Sequence, residues 1–375
     1  MSEWKEVQLK DFISVKGGLA YKSEYIGQGT ALLLGMGCVS NKEKFLMKGA
    51  RFYAGDYPHS YLVKPGDIVL ATRQQSDNLP ILGKPALIPN TLIGKQVIVG
   101  TNLYKVSKKA NIDDIYLFWL LKGQDYQDHI YQCSSGTTVR MITKDSVEFY
   151  QFLIPPLPEQ KAIALVLSSL DDKIDLLHRQ NKTLEAMAET LFRQWFVEEA
   201  QEDWEDGKLG DVIELHYGKG LKTEERAGSG YPVVGSSGVV DYHTEFLVRG
   251  PGIVIGRKGT LGKVIYLWDN FYPIDTTYYV KSKVESVGLL YDYFLLKTIG
   301  FEDMNTDSAV PGLNRDIALS TEIKIPPEDK LHAFNELVAD FIGKLKTNRD
   351  QIHTLEKLRD TLLPKLMSGE VRVAV

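Results

Sequence analysis

Cysteine is almost absent: Cys38 and Cys133 are the only two, and their spacing matches neither a CxxC pair nor a metal site. Both read as reduced thiols. No stretch approaches the ~20 apolar residues of a membrane span. Met1-Ser2-Glu3-Trp4 opens no secretory pattern, so the expectation is a soluble cytoplasmic chain without membrane contact. Catalytic signatures are missing too. There is no G-x-x-x-x-G-K-[ST] loop, no G-x-G-x-x-G opening a helix after a strand, and no G-x-S-x-G elbow. Gly218-Lys219-Gly220 is a lone GxG that a turn explains. The histidines include no i, i+4 pair and read as having no neighbouring cysteine, which argues against a metal centre. The expectation is therefore no catalytic residue, no cofactor and no metal in this chain.

An excess of positive charge is missing as well, since the net charge is −5. Its distribution is uneven. Residues 1–157 carry +4, residues 158–206 carry −7, residues 207–327 carry −2, and residues 328–375 are neutral. The acidity lies mostly in one stretch, Glu198-Glu199-Ala200-Gln201-Glu202-Asp203-Trp204-Glu205-Asp206. Such a balance permits nucleic-acid binding without demanding it.

What the chain does have is a long internal repeat. Trp4-Lys5-Glu6-Val7-Gln8-Leu9-Lys10-Asp11-Phe12-Ile13 returns as Trp204-Glu205-Asp206-Gly207-Lys208-Leu209-Gly210-Asp211-Val212-Ile213. Pro65-Gly66-Asp67-Ile68-Val69 is echoed by Pro251-Gly252-Ile253-Val254, and Tyr116–Lys122 by Tyr291–Lys297. Each copy closes on Ile-Pro-Pro, at Ile154-Pro155-Pro156 and Ile325-Pro326-Pro327. The period far exceeds the ~20–50 residues of a solenoid unit, so a whole domain plus a helix is duplicated. Within the copies, Ala31–Leu34, Asp67–Ala71, Val97–Val99, Ile253–Ile255, Lys263–Leu267 and Thr277–Val280 read as strands. Asp113–Gly123 and Gly288–Lys297 read as helices. The fold class expected is α+β, with compact domains rather than an open βαβ sheet.

After each Ile-Pro-Pro the apolar residues fall into heptads. The first seam runs Ile163, Leu167, Leu170, Ile174, Leu177, Asn181, Leu184, Ala188, Leu191, Trp195. The second runs Phe334, Val338, Phe341, Leu345, Asn348, Ile352, Leu355, Arg359, Leu362, Leu366. Two seams of matching length, each with one asparagine, predict that the helices pack on each other in one fixed register. Pro364 is expected to kink or end the second helix, with Gly369 as a stop behind it. Repeat and seams together place a first domain at 1–157, a helix at 158–200, a second domain at 201–327 and a helix at 328–370.

Candidate contacts lie in polar segments that recur between the domains. Thr72-Arg73-Gln74-Gln75-Ser76-Asp77-Asn78 follows one strand, and Gly256-Arg257-Lys258-Gly259-Thr260 follows its counterpart. Arginine and glutamine make bidentate bonds to base edges, so Arg73, Gln74, Gln75, Arg257 and Lys258 are candidate readers; a solvated loop fits the same residues. Ser134-Ser135-Gly136-Thr137-Thr138-Val139-Arg140 stands opposite Asp307–Gly312, and Ser135, Thr137 and Arg140 suit phosphate contacts, while an ordinary turn explains the segment equally well. Tyr21 and Lys22 in Gly17–Lys22, and Lys219 and Lys222 in Gly218–Lys222, complete the glycine-containing candidates.

Together these features resemble the specificity subunit of type I restriction–modification systems, over essentially the whole chain. The resemblance rests on the duplicated Trp-x4-Leu-x-Asp openings and on Tyr231-Pro232-Val233-Val234-Gly235-Ser236-Ser237-Gly238, whose Ser236 and Ser237 join the candidate DNA contacts. It rests also on Ile154-Pro155-Pro156-Leu157-Pro158-Glu159-Gln160-Lys161 and on Leu362-Leu363-Pro364-Lys365-Leu366-Met367-Ser368-Gly369-Glu370-Val371. It implies a non-catalytic reader with two target recognition domains, one for each half of a split duplex DNA site. It further implies an antiparallel coiled coil that sets the spacing. Two modification subunits, carrying S-adenosylmethionine, and restriction subunits, using ATP and magnesium, would be the partners. The second Ile-Pro-Pro departs from the pattern, running on as Glu328-Asp329-Lys330. A standalone S-adenosylmethionine-dependent DNA methyltransferase and a coiled-coil scaffold with ligand-binding heads are the alternatives.

Overall fold

The computed structural model describes residues 4–74, 80–136, 139–284, 288–304 and 312–374. The chain divides into two compact units, residues 1–175 with 353–375, and residues 176–352.

In the first unit Lys5–Gln8 pairs antiparallel with Gln151–Ile154, bringing the repeat's opening beside its Ile-Pro-Pro exit. A four-stranded antiparallel sheet has the order Ile13–Gly17, Leu103–Lys108, Ile68–Ala71, Pro85–Leu87. A second sheet runs Ala50–Tyr53, Ile26–Leu34, Val97–Val99, Leu62–Val63, with Leu32–Leu34 parallel to Val97–Val99. The helix Asp114–Lys122 begins where Asp113 Oδ1 accepts the otherwise orphaned amides of Ile115 and Tyr116 at 3.0 and 2.9 Å. It buries every residue from Tyr116 to Leu121. The core they build continues onto Ile163 and Leu167 of the first long helix and Leu366 and Met367 of the second. Burying a side chain of leucine size contributes roughly 1.5–3 kcal/mol.

The second unit repeats the scheme. Glu205–Lys208 pairs with Glu322–Ile325. The four-stranded sheet is Ile213–Tyr217, Thr277–Ser282, Gly252–Gly256, Val264–Leu267, and a three-stranded sheet is Gly238–His243, Tyr231–Gly235, Tyr272–Pro273. The strands and helices expected from sequence are present in both units. The helix Leu290–Thr298 has no cap of its own; Asn335 of the second long helix supplies it, its Oδ1 accepting from the amides of Leu290 and Tyr291 at 3.0 and 3.1 Å. On the helix Leu290–Thr298, Asp292 is buried with Oδ2 unpaired, and burial lifts its carboxyl to about 6. The folded form thus keeps its proton above the unfolded value, so its contribution to stability falls as pH rises from about 4 through 6. Asp292→Asn cannot ionise and is expected to stabilise the fold by about 2–3 kcal/mol at pH 8, with little gain at pH 4. Denaturant midpoints at the two pH values check this; an equal effect at both would refute it.

The long helices span Leu157–Arg193, followed by a π-helical turn at Gln194–Glu198, and Glu328–Ser368. Each starts directly after its Pro-Pro. Every seam residue named from sequence is buried or half-buried. In the second unit Asn348 Nδ2 donates to Asn181 Oδ1 at 2.8 Å, and Phe192 meets Phe334 edge-on at 5.7 Å. In the first, Arg359 bonds Asp171, and Arg372, beyond the helix end, bonds Glu159. In each unit one helix therefore ascends as the other descends, which is antiparallel pairing. Of the two outcomes expected at Pro364, an end to the helix is corrected, since the helix runs on to Ser368; the stop at Gly369, with φ +79°, is as expected. Only one turn remains beyond Pro364, and the burial of Leu366 and Met367 there outweighs the lost backbone bond. Among the described residues no helix is long and apolar enough to cross a membrane.

Candidate nucleic-acid interface

Backbone hydrogen bonds set the two copies in register residue by residue. Gly18 donates to Leu103 O at 2.9 Å as Gly218 donates to Thr277 O at 3.1 Å; Leu19 donates to Val99 O at 2.7 Å as Lys219 does to Pro273 O at 3.0 Å. The Tyr104 hydroxyl donates to Ile142 O at 3.1 Å, and the Tyr278 hydroxyl to Leu313 O at 3.0 Å. Thr72 donates to Asn102 O and accepts from Ile142 N; Arg257 likewise donates to Thr276 O and accepts from Leu313 N. The counterpart of Arg257 is therefore Thr72, and that of Arg73 is Lys258, one residue away from the pairing of arginine with arginine that chemistry alone suggests.

In each domain the segment after the central strand meets the later polar segment. Arg73 pairs with Met141 and Gln74 with Arg140. Lys258 pairs with Gly312. Arg73 is exposed, but Gln74 is buried, and its Oε1 accepts from Leu82 N at 3.4 Å, so that side chain braces its own loop. Ser135 exchanges both backbone bonds with Met141, which commits its amide within the chain. The Arg140 guanidinium lies 4.3 Å from the Tyr131 ring centroid, with Nη1 3.5 Å from Ser134 Oγ. Gln75, Thr137 and Asp307–Pro311 fall outside the described residues.

Gly18 and Gly218 serve the fold, whereas Gly17 and Gly220 have open space around them. A Cβ on Gly18 would stand 2.0 Å from Gly100 O, and one on Gly218 2.1 Å from Ile274 O, so each lets two backbones touch. Tyr21 meets Tyr53 edge-on at 6.4 Å. Lys22 is exposed and 3.8 Å from Glu24. Lys219 and Lys222 are exposed, and Lys222 N donates to Glu225 Oε2. Ser237 O accepts from Lys263 Nζ at 2.6 Å. Ser236 lies against Gly256 and Gly259, which places it beside Arg257 and Lys258.

The most developed constellation is in the second domain. Tyr217, Arg257, Lys258, Tyr278, Asn314 and Arg315 line a cleft of about 220 Å³. Arg257 Nη1 donates to Asp275 O at 2.8 Å, and its guanidinium sits 4.9 Å from the Tyr217 ring and 5.7 Å from that of Tyr278. The Arg315 guanidinium is 5.7 Å from the same Tyr217 ring. Burial, and next the Tyr217 hydroxyl beside it, push Tyr278 up to about 12, so it is a neutral donor. Sequence alone does not single out Arg315, Tyr217, Lys263 or Tyr131. The repeat holds a signal for Arg315: it follows the cap Asn314 as Lys144 follows the cap Thr143. The expectation that no cysteine neighbours a histidine is corrected: Cys133 Sγ lies 3.8 Å from His129 Nε2, an i, i+4 spacing that the helix Gln124–Gln132 brings together, and that nitrogen is already 2.9 Å from Ser146 O. Among the described residues no three histidine, cysteine or carboxylate groups gather as metal ligands. Cations stacked on tyrosines at a cleft suit an anionic, planar ligand such as nucleic acid.

The sequence profile of the type I restriction modification DNA specificity domain matches residues 1–186 and 201–359. The MjaIX specificity subunit of a type I restriction enzyme from Methanocaldococcus jannaschii is 25% identical over 82% of this chain and 78% of its own. The MjaVIII specificity subunit of the same organism is 24% identical over 75% and 76%. The crystal structure of the S subunit of a type I restriction-modification system from M. genitalium superposes with a TM-score of 0.66 at 19% identity, covering 97% of this chain and 96% of that one, which shows the shared fold. With both halves matched by the profile, this chain belongs to the type I restriction–modification DNA specificity family.

Proposed function

We propose that this chain is the DNA-reading subunit of a type I restriction–modification complex. Residues 1–157 and 201–327 each read one half of a bipartite duplex site, and the helices 158–200 and 328–370 hold the two readers apart. Two modification subunits dock on the helices. Adenine methylation, with S-adenosylmethionine, and cleavage, with ATP and magnesium, belong to the modification and restriction subunits, and this chain performs no chemistry. The observation that carries the reading is the register of the two domains, which agrees down to the Tyr104 and Tyr278 hydroxyl bonds and brings basic residues to the same edge in both.

Exchanging residues 1–157 for the same domain of a relative is expected to change one half of the methylated motif and leave the other half intact. Sequencing the methylated sites of cells carrying the exchanged chain reads this directly, and a change in both halves would defeat modular reading. Tight binding of S-adenosylmethionine by the purified chain alone would favour a standalone methyltransferase instead.

A further inference from the structure

The second domain holds Arg257 far more firmly than a phosphate contact requires. Its backbone is fixed on both sides, the amide to Thr276 O at 2.9 Å and the carbonyl to Leu313 N at 3.0 Å. Its guanidinium is fixed by Asp275 O and by the Tyr217 ring. The residue is half-buried yet lines the cleft, and the ring it leans on is 51% exposed. A guanidinium offers five donors in a rigid plane. With donors committed to Asp275 O and to the Tyr278 hydroxyl, three of the five remain for a two-pronged contact, and prior immobilisation lowers the entropy such a contact costs. In the major groove guanine alone presents two adjacent acceptors, N7 and O6, whereas adenine pairs an acceptor with a donor. Lys258 and Arg315 supply charge beside it, Arg315 exposed and sharing its Nε with Asp316 at 3.3 Å. The first domain keeps the backbone anchoring and, in Arg73 and Lys144, the charge of Lys258 and Arg315, but lacks the arginine and the tyrosine. There Gly17 stands for Tyr217 and buried Thr72 for Arg257, as the strand pairings and backbone bonds show.

We propose that Arg257 reads a guanine in the half-site of the second domain, that Tyr217 is the positioning residue that holds its guanidinium, and that Arg315 contacts the phosphate backbone beside it. This rests on the DNA-reading function above. The test uses the full chain in complex with its modification subunits. Methylated genomic sites are sequenced, and binding to a duplex carrying the motif is measured against duplexes altered at one base pair. The half belonging to the second domain is known from the domain exchange.

Wild type is expected to require a G·C pair in that half. R257K keeps the charge and loses the fork, and is expected to reduce discrimination at that one pair by about 10- to 100-fold. Y217A is expected to relax the same pair, and Y217F, which keeps the ring, to restore it. R315A should weaken binding to all sequences alike and lower the slope of log affinity against log salt by about one, leaving the motif as it is. Full discrimination in R257K, or a second half-site with no obligatory G·C pair, overturns the proposal. Relaxation at an A·T pair overturns the guanine assignment. If wild type yields no bipartite motif, the DNA-reading function itself fails, which is a distinct result. Should Y217A not fold, R257K decides alone.

Discussion

Arg359→Ala is expected to cost about 3 kcal/mol of stability, because it strips a counter-ion from a carboxylate that has almost no water. Arg359 occupies a seam position of the second long helix. Its Nη1 bonds Asp171 at 2.6 Å and its Nε bonds Asp360 at 2.9 Å. The side chains of Arg359 and Asp171 are 10% and 8% exposed. Removing one partner of such a pair costs ~3–5 kcal/mol, while replacing both by apolar residues is often neutral. The lower end applies here, since Lys44 stays 3.4 Å from Asp171. The loss corresponds to a fall of roughly 6–12 °C in the melting transition for a unit of this size.

The matched double variant D171L/R359L is expected to recover most of that loss. The equivalent seam neighbours in the second unit are Ala188 and Ile342, both within an apolar core, so leucines suit the geometry. One further charge must be controlled. Burial brings Lys122 down to about 8, with Asp171 pulling it up and Arg359 pushing it down, so each substitution also moves this group and the variants are compared at both pH 7 and pH 9. If R359A melts with wild type, or the double variant is as unstable as the single, the pair is not the determinant described.

This pair also marks the limit of what the sequence reveals. Heptad stepping places Arg359 in a seam but cannot say what neutralises it, because Asp171 lies 188 residues away and outside the first seam. Asn181 and Asn348 are visible as seam polar residues, and their meeting follows from the antiparallel register. The strands are legible because short apolar, β-branched runs such as Ile68–Ala71 and Val97–Val99 act locally, and the helix Asp114–Lys122 because Asp113 caps it. Pro364 misleads because local backbone chemistry is set against burial of Leu366 and Met367, which only tertiary structure supplies.

The interface shows the same division. The polar segments that recur in the repeat are legible, and the fold does bring 73–74 against 140–141 and 258 against 312. Their register is not. Aligning arginine with arginine puts Arg73 opposite Arg257, while the backbone bonds put Thr72 there, since Gly256 ends its strand inside the sheet as Ala71 does. Gln74 has the chemistry of a base reader but is turned inward to Leu82. Tyr217 and Arg315 are hidden because each matters only through the cleft it shares with Arg257.

Adding four residues to each long helix is expected to lengthen the spacer of the recognised site by one or two base pairs and leave both half-site sequences unchanged. The insertions go directly after Asn181 and directly before Asn348. In an antiparallel pair these points face each other, so the added turns pack together and the 2.8 Å amide bond between the two asparagines is kept. Four residues add ~6 Å of helix, and duplex DNA advances ~3.4 Å per base pair. At 3.6 residues per turn the insertion also rotates the downstream part of the helix by about 40° beyond one full turn. Some loss of activity is therefore expected while the motif changes. The added residues must continue the apolar seam, leucine at the a and d positions, or the pair will fray at the insertion. Lengthening one helix alone should instead break the pairing and abolish methylation. Sequencing the methylated sites of the double-insertion chain measures the spacer directly. An unchanged spacer with full activity would show that the distance between the half-sites is set elsewhere, by the modification subunits or by the DNA itself.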